Sequence, residues 1–311
     1  MAVVLQVLIT GLAAGAGYGL AAIAFSLIYR LTGVIHFALG ELVSLAVFVT
    51  LFAAAGTGPV TATNVSVGRF TLAALAGLAV TVAAGLLMYL LAVRPFTRRG
   101  LVLGWIGATV AVAFAVRGYL AAAFERPAYV FPDPIPFHRL GHEGVLRLGG
   151  GVSVQIRAFF VIAVGVGLAA LAAWVLGRTE VGRGLQAVAE EPVGARAAGL
   201  PVERLLAGAF AAAGLLAALA AIVQAPAAAV TVDTGSLLAL KGLAAALLAR
   251  FGSPWRALAA GLGLGVVELG VSSFHLGAVR LGPEYRDWVP LALVLALMAV
   301  VRMGRAAPDV E

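Results

Sequence analysis

Residues 158–223 read AFFVIAVGVGLAALAAWVLG (158–177), RTEVGRGLQAVAEEPVGARAAGLPVER (178–204) and LLAGAFAAAGLLAALAAIV (205–223). An apolar helix of about 20 residues, rising about 1.5 Å per residue, crosses a hydrocarbon core of roughly 30 Å. The two flanking segments therefore read as membrane spans. The 27 residues between them hold eight charged side chains, in a chain with only 21 basic and 14 acidic residues. A membrane protein that gathers charge on one ordered internal segment is offering it to a soluble partner. The plainer reading is a connector lying on the membrane surface.

Working outward, the same apolar length recurs near 3–29, 37–56, 70–93, 101–124, 236–249, 256–274 and 288–302. The segment at 236–249 is short and reads as re-entrant or broken, so the count is eight or nine spans. Only 11% of the 311 residues are charged, against roughly 25% in soluble domains, while 62% are apolar. There is too little polarity to coat a soluble globule. The expected fold is an all-α polytopic membrane bundle forming one transmembrane domain over 1–311, since only helices or closed barrels satisfy their backbone in lipid. No barrel-like alternation is present. The N-terminal run is too long for a signal-peptide core and reads as a retained first span.

Arginine placement orients the spans. With 178–204 in the cytoplasm, twelve arginines lie inside and seven outside, four of the seven in the long 125–157 loop where charge counts least. This predicts an outer N-terminus and an inner C-terminus. It also accounts for most of the net charge of +7 without nucleic acid. The 125–157 loop, broken by four prolines, is expected to carry a small external hairpin with Val145–Leu148 and Val152–Ile156 around Gly149–Gly151.

In the island, Gly182–Glu190 reads as a short helix. A second starts with Pro192 at its first position and ends at Ala198, with Gly199 beyond it. Arg183, Glu190 and Arg196 give a mixed-sign surface, which suits protein better than anionic lipid. Ala195 and Gly199, four residues apart, are expected on one docking side.

Glu41, Arg117, Lys241 and Glu268 fall inside spans, where each costs at least about 2.5–3.5 kcal/mol unless it faces protein or water. Lys241 and Glu268 count to similar depths and can pair, either as a structural tie or as part of a permeation path. Arg117 can snorkel outward. His36 and Glu41 are placed near the inner face, at a helix terminus or an inner gate. Gly11, Gly15 and Gly19 form one small-residue stripe and Gly261 and Gly265 another, the spacing that brings helix backbones close.

No catalytic or metal constellation emerges. Cysteine is absent, and His138 and His142 lack a third ligand. There is no Gly-x-x-x-x-Gly-Lys-Ser/Thr loop, so ATP and Mg belong to another chain if they act here.

Three stretches together resemble the permeases of branched-chain amino acid ABC transporters. Gly182 to Leu200 has the pattern G-R-x-L-x-A-x-A-E-x-x-x-x-A-x-x-x-G-L of that family's cytoplasmic coupling loop. GAGYGLAAIAFSLIYRLTGVIHFALGE, Gly15 to Glu41, is similar to its first span and the I-N-F-A-H-G-E element that follows. LKGLAAALLARFGSPWRALAAGLGLGVVE, Leu240 to Glu268, is similar to its L-K-A-F … G-S-x-x-G-A … G-x-x-E pattern. The resemblance implies a type II importer-like bundle in the lipid of a prokaryotic cell membrane, with a sister or identical second permease, two ATPase subunits and an extracytoplasmic solute-binding protein. It implies that Gly182, Arg183, Glu190, Ala195, Arg196 and Gly199 belong to the coupling segment. Departures cluster at His36, usually Asn in the family, at Leu39, often His, and at Arg250-Phe251, which replace part of a Gly-Gly. The transporter type thus follows from the resemblance more directly than the solute does. An ion-coupled secondary transporter or channel, with Glu41 and Glu268 carrying the coupling, is the competing reading.

Overall fold

The computed structural model describes residues 2–56, 65–97, 102–124, 127–133, 144–147 and 153–273, with isolated positions at 135, 137 and 292. The expected span at 288–302, the loop histidines and the Gly149–Gly151 turn lie outside the described residues.

Helices dominate. In chain order they are α1 (Ala2–Thr32), α2 (Leu39–Ala55), α3 (Val67–Leu87), α4 (Arg94–Thr97), α5 (Val102–Ala123), α6 (Ile156–Arg178), α7 (Glu180–Glu190), α8 (Pro192–Ala197), α9 (Val202–Gln224), α10 (Thr234–Leu248) and α11 (Pro254–Ser273). A π-helical turn at Met88–Val93 joins α3 to α4, so this rod continues past the expected end at 93. Among the described residues, five helices are long and apolar enough to cross a membrane. Two apolar helices are too short. α2, with 17 residues, and α10, with 15, reach only about 25 and 22 Å.

α1 is the central post. It packs on α11, α9, α10 and α6, and its residues from Ala16 to Ile28 are almost wholly buried. The two glycine stripes meet here. A Cβ on Gly15 would lie 2.5 Å from the Gly261 carbonyl oxygen, one on Gly11 2.7 Å from Val266 Cα, and one on Gly19 2.8 Å from Leu258 Cα. Seen from α11, Gly261 and Gly265 abut the backbone of Gly19, Gly15 and Gly11. Lipid tails are as apolar as side chains, so the helices gain by dispersion at close range, which only small residues permit. α5 and α6 are peripheral and present Leu103, Phe114, Tyr119, Leu171 and Trp174 outward.

β1 (Val145–Arg147) and β2 (Ser153–Gln155) form a two-stranded antiparallel ladder with Leu146 opposite Val154. Upstream, Tyr129 exchanges two 2.8 Å backbone hydrogen bonds with Val230, and its ring meets Phe48, Phe52 and Phe124. Arg157 fastens Asp133 at 2.5 Å and donates to the Val223 carbonyl at 2.8 Å. This segment is therefore tied to the α9–α10 connection.

α10 ends in a tight cap where Arg250 and Phe251 both take left-handed backbone, φ 54° and 49°. Such conformations cost roughly 1–2 kcal/mol each without glycine. The Phe251 ring offsets part of this by stacking on Tyr29 at 3.9 Å.

If the α1–α11 backbone contact organises the bundle, Gly261→Ala should lower the melting temperature through about 1–3 kcal/mol of overpacking. Gly263→Ala, on the same helix with nothing within 4 Å, should leave it unchanged or raise it by the gain of alanine over glycine in a helix, roughly 0.5–1 kcal/mol. Thermal unfolding in detergent checks the pair; equal shifts would remove the contact from the account.

Candidate functional site

The polar island is two short helices clamped to the bundle end. Thr179 opens α7, its Oγ1 accepting the Gly182 N–H at 3.1 Å. Gly182 lies hard against the Val175 and Leu176 carbonyls, so α7 can turn sharply off α6 only because Cβ is missing there. Glu191 caps α8 by accepting from Val193 N–H at 3.3 Å, with Pro192 next. At the far end Leu200 N–H reaches the Ala195 carbonyl and Gly199 N–H the Arg196 carbonyl, both at 3.0 Å. Gly199 sits at φ 81°, the left-handed cap conformation.

Leu185, Val188 and Ala195 bury themselves with Leu31 of α1 and with Val202 and Ala209 of α9. The pair is thus a rigid appendage of α1 and α9. This corrects one expectation: Ala195 is 5% exposed and faces the bundle, so it is not on an outward docking side with Gly199. The helix buries Ala195 because it is the small residue that lets α8 lie close. Arg183, Glu190, Arg196 and Gly199 lie toward solvent, and Val193 is 72% exposed between them. Val193 was not singled out from sequence, although an aliphatic residue amid charges was the available signal.

Inside the bundle, Lys241 Nζ lies 3.0 Å from Glu268 Oε1 and 3.4 Å from Tyr18 Oη, joining α10, α11 and α1. The pair is 7% and 0% exposed. Arg117 does not snorkel free; it pairs with Asp233 at 2.5 Å, at the start of α10. Arg94, at the other end of α3's rod, pairs with Glu203 of α9 at 2.6 Å.

The starts of the two short helices meet. Ser236 Oγ of α10 donates to Glu41 Oε1 of α2 at 2.9 Å. Ser44 Oγ donates to the Val232 carbonyl and accepts from Gly235 N–H, each at 3.0 Å. A Cβ on Gly40 would lie 2.9 Å from Ser236 Cα. α3 supplies a depth scale: Gly77 abuts Ala46 and Thr50 of α2, and Gly85 abuts Phe210 of α9. Counting back from Ala46 puts Glu41 level with Phe210, about 18 Å from the end of the α3–α4 rod at roughly 1.5 Å per residue. His36 and Glu41 therefore lie near the middle of the bundle, not at its inner face as the span boundaries suggest. The chain climbs back through residues 33–38 before α2 begins.

His36 is 1% exposed, and neither ring nitrogen has a hydrogen-bond partner. Its ring lies 5.3 Å from Phe210, which also meets Tyr89 at 5.5 Å and Trp105 at 6.5 Å. Trp105 Nε1 is likewise buried without a partner. Phe210 and Trp105 were invisible as functional candidates in a sequence crowded with apolar residues. Among the described residues no group of three His, Asp or Glu could hold a metal ion.

Comparison with known proteins agrees with this architecture. A family model described as the permease component of the branched-chain amino acid transport system matches residues 7–298. The high-affinity branched-chain amino acid transport system permease protein BraD of Pseudomonas aeruginosa is 28% identical over 321 residues, covering 99% of this chain and 97% of that protein.

The Lys241–Glu268 contact makes a double-mutant prediction. Lys241→Met should destabilise by about 3–5 kcal/mol, because it strands a buried carboxylate. Adding Glu268→Gln should recover much of the loss. Simple additivity of the two losses in a thermal-unfolding cycle would show that the pair does not interact.

Proposed function

The chain belongs to the family of branched-chain amino acid transport system permease components, and from that premise we propose that it is the membrane subunit of an ATP-driven importer. Members are transport subunits of the membrane, not enzymes. On this reading the transported solutes are branched-chain amino acids or related small polar molecules. The complex would hold this permease domain, a second permease of the same or a sister sequence, two ATPases with ATP and Mg, and a solute-binding protein on the outer face. It would reside in the plasma membrane of a prokaryote, with the N-terminus out and the C-terminus in. The peripheral apolar faces of α5 and α6 suit lipid or the second permease.

One observation carries the proposal. α7 and α8 expose two aliphatic side chains, Val181 and Val193, amid the charges of Arg183, Glu190 and Arg196, while their inner side is packed on α1 and α9. Exposed aliphatic side chains set among charges of both signs suit a protein interface. Closure of the ATPase pair would press on α7 and α8, and the shared buried cluster would pass that motion directly into α9. Nucleotide would thereby supply the difference in binding energy between inward- and outward-open states.

Val193→Glu tests this. It touches no span and no buried contact, so insertion and melting temperature should hold within about 0.5 kcal/mol, as for ordinary surface changes. ATPase co-purification and uptake should both be lost. Single cysteines at 190 and 196 should label only from the cytoplasm. Full uptake by Val193→Glu would take the coupling role away from α8, and labelling from outside would reverse the topology.

A further inference from the structure

Two buried hydrogen-bonding groups without partners flank one aromatic ring. His36 and Trp105 both face Phe210, and each is 1% exposed with its ring nitrogens unbonded. Leaving such groups dry costs about 1–3 kcal/mol each, so an arrangement that keeps them implies a state in which they find a partner. His36 lies in the break before α2, whose first turn has no side-chain cap and carries Glu41, and Trp105 reaches the same ring from α5. That turn contributes the positive end of a helix dipole. Discontinuous helices that begin near the middle of a membrane bundle are a general way to hold a solute's charged groups.

We propose that the space Phe210 now fills, between His36, Trp105 and the first turn of α2, is the solute site, closed in this conformation. The proposal rests on the importer reading above and adds where the solute sits. Trp105 offers only a donor, and the imidazole of His36 offers a donor from its N–H. That set is complementary to a carboxylate. Glu41, at the same depth and held by the Ser236 hydroxyl, is complementary to an ammonium. The rings of Tyr89 and Phe210 suit an apolar side chain. An α-amino acid zwitterion with an apolar side chain, the solute of that reading, presents all three groups.

The geometry also supplies a way out. A groove of about 470 Å³ on the island side is lined by Tyr89, Leu90, Arg94, Val202, Arg204 and Ala207. Tyr89 forms part of its wall, with its ring 5.5 Å from Phe210. Phe210 rides on α9 only eight residues after its first, Val202, which is packed against α7 and α8. A shift of the island therefore moves the plug. The π-helical turn that carries Tyr89 forms the opposite wall, a distortion often found at functional sites.

Because the chain contains no cysteine, His36→Cys gives a unique thiol. The test uses the complete importer in lipid nanodiscs, a small methanethiosulfonate reagent, and whichever of the twenty amino acids the wild type takes up best. The introduced thiol should be inert at rest and react during ATP turnover. The amino acid should protect it, and neither its carboxamide nor its deaminated acid should. Glu41→Gln keeps an acceptor for Ser236, so the melting temperature should hold while KM for uptake rises about 10-fold or more, the scale of one lost charge-assisted hydrogen bond. A thiol inert in every state, labelling indifferent to the amino acid, or an unchanged KM in Glu41→Gln would overturn the site while ATP-driven uptake stays intact. A wild type that takes up no amino acid with ATP would instead overturn the functional reading on which it rests. If His36→Cys fails to assemble, the Glu41→Gln KM decides alone.

Discussion

The structure depends on how closely α1 and α11 approach. In lipid there is no apolar-versus-water gradient to press helices together, and cohesion comes from dispersion and a few buried polar bonds. Gly11, Gly15 and Gly19 lie against Gly261, Gly265 and their neighbours so tightly that a single added carbon would meet backbone. That contact closes the bundle around Tyr18 and Glu268, the residues next to the stripes. Lys241 can then be held at 3.0 Å from Glu268 in a buried site. The ion pair ties α10 to the post formed by α1 and α11, and α10 in turn fixes the start of α2 through Ser236 and Ser44.

α9 connects the parts that face different tasks. It begins beside the island, carries Phe210 at mid-bundle, and ends where Gln224 Nε2 donates to the Ala14 carbonyl of α1 at 3.0 Å. Gln224 occupies the space opposite Gly17, where any side chain would collide with it. One end of α9 is thus pinned to the post, and the other is joined to the surface helices and, through Leu31, to the post as well. On the proposed reading, a push at α8 would reach Phe210 as a small displacement along this rod. The proposed coupling needs no longer path than this one helix.

Much of this was legible in the sequence because it depends on local rules. Apolar length marked the long spans, and Pro192 and Gly199 marked the ends of α8 through the backbone each residue prefers. Lys241 and Glu268 could be counted to similar depths because both stand on regular helices. What the sequence did not reveal depends on where irregular segments go. Hydropathy marks where apolar residues start, not how far residues 33–38 climb before α2 begins, so His36 and Glu41 were assigned too shallow a depth. Ala195 looked outward because charges surround it, yet its smallness serves contact with α1 and α9. Asp233 as the partner of Arg117 required the α9–α10 connection to dip into the bundle, which no local pattern encodes.

The central claim is that nucleotide energy, passed through α7, α8 and α9, drives uptake through this chain. The most direct measurement is accumulation of radiolabelled amino acid in proteoliposomes containing the complete complex and its binding protein, with ion gradients collapsed by ionophores. The account predicts uphill accumulation that requires ATP on the ATPase side and is indifferent to proton and sodium gradients. Accumulation that follows an ion gradient and proceeds without ATP would contradict it.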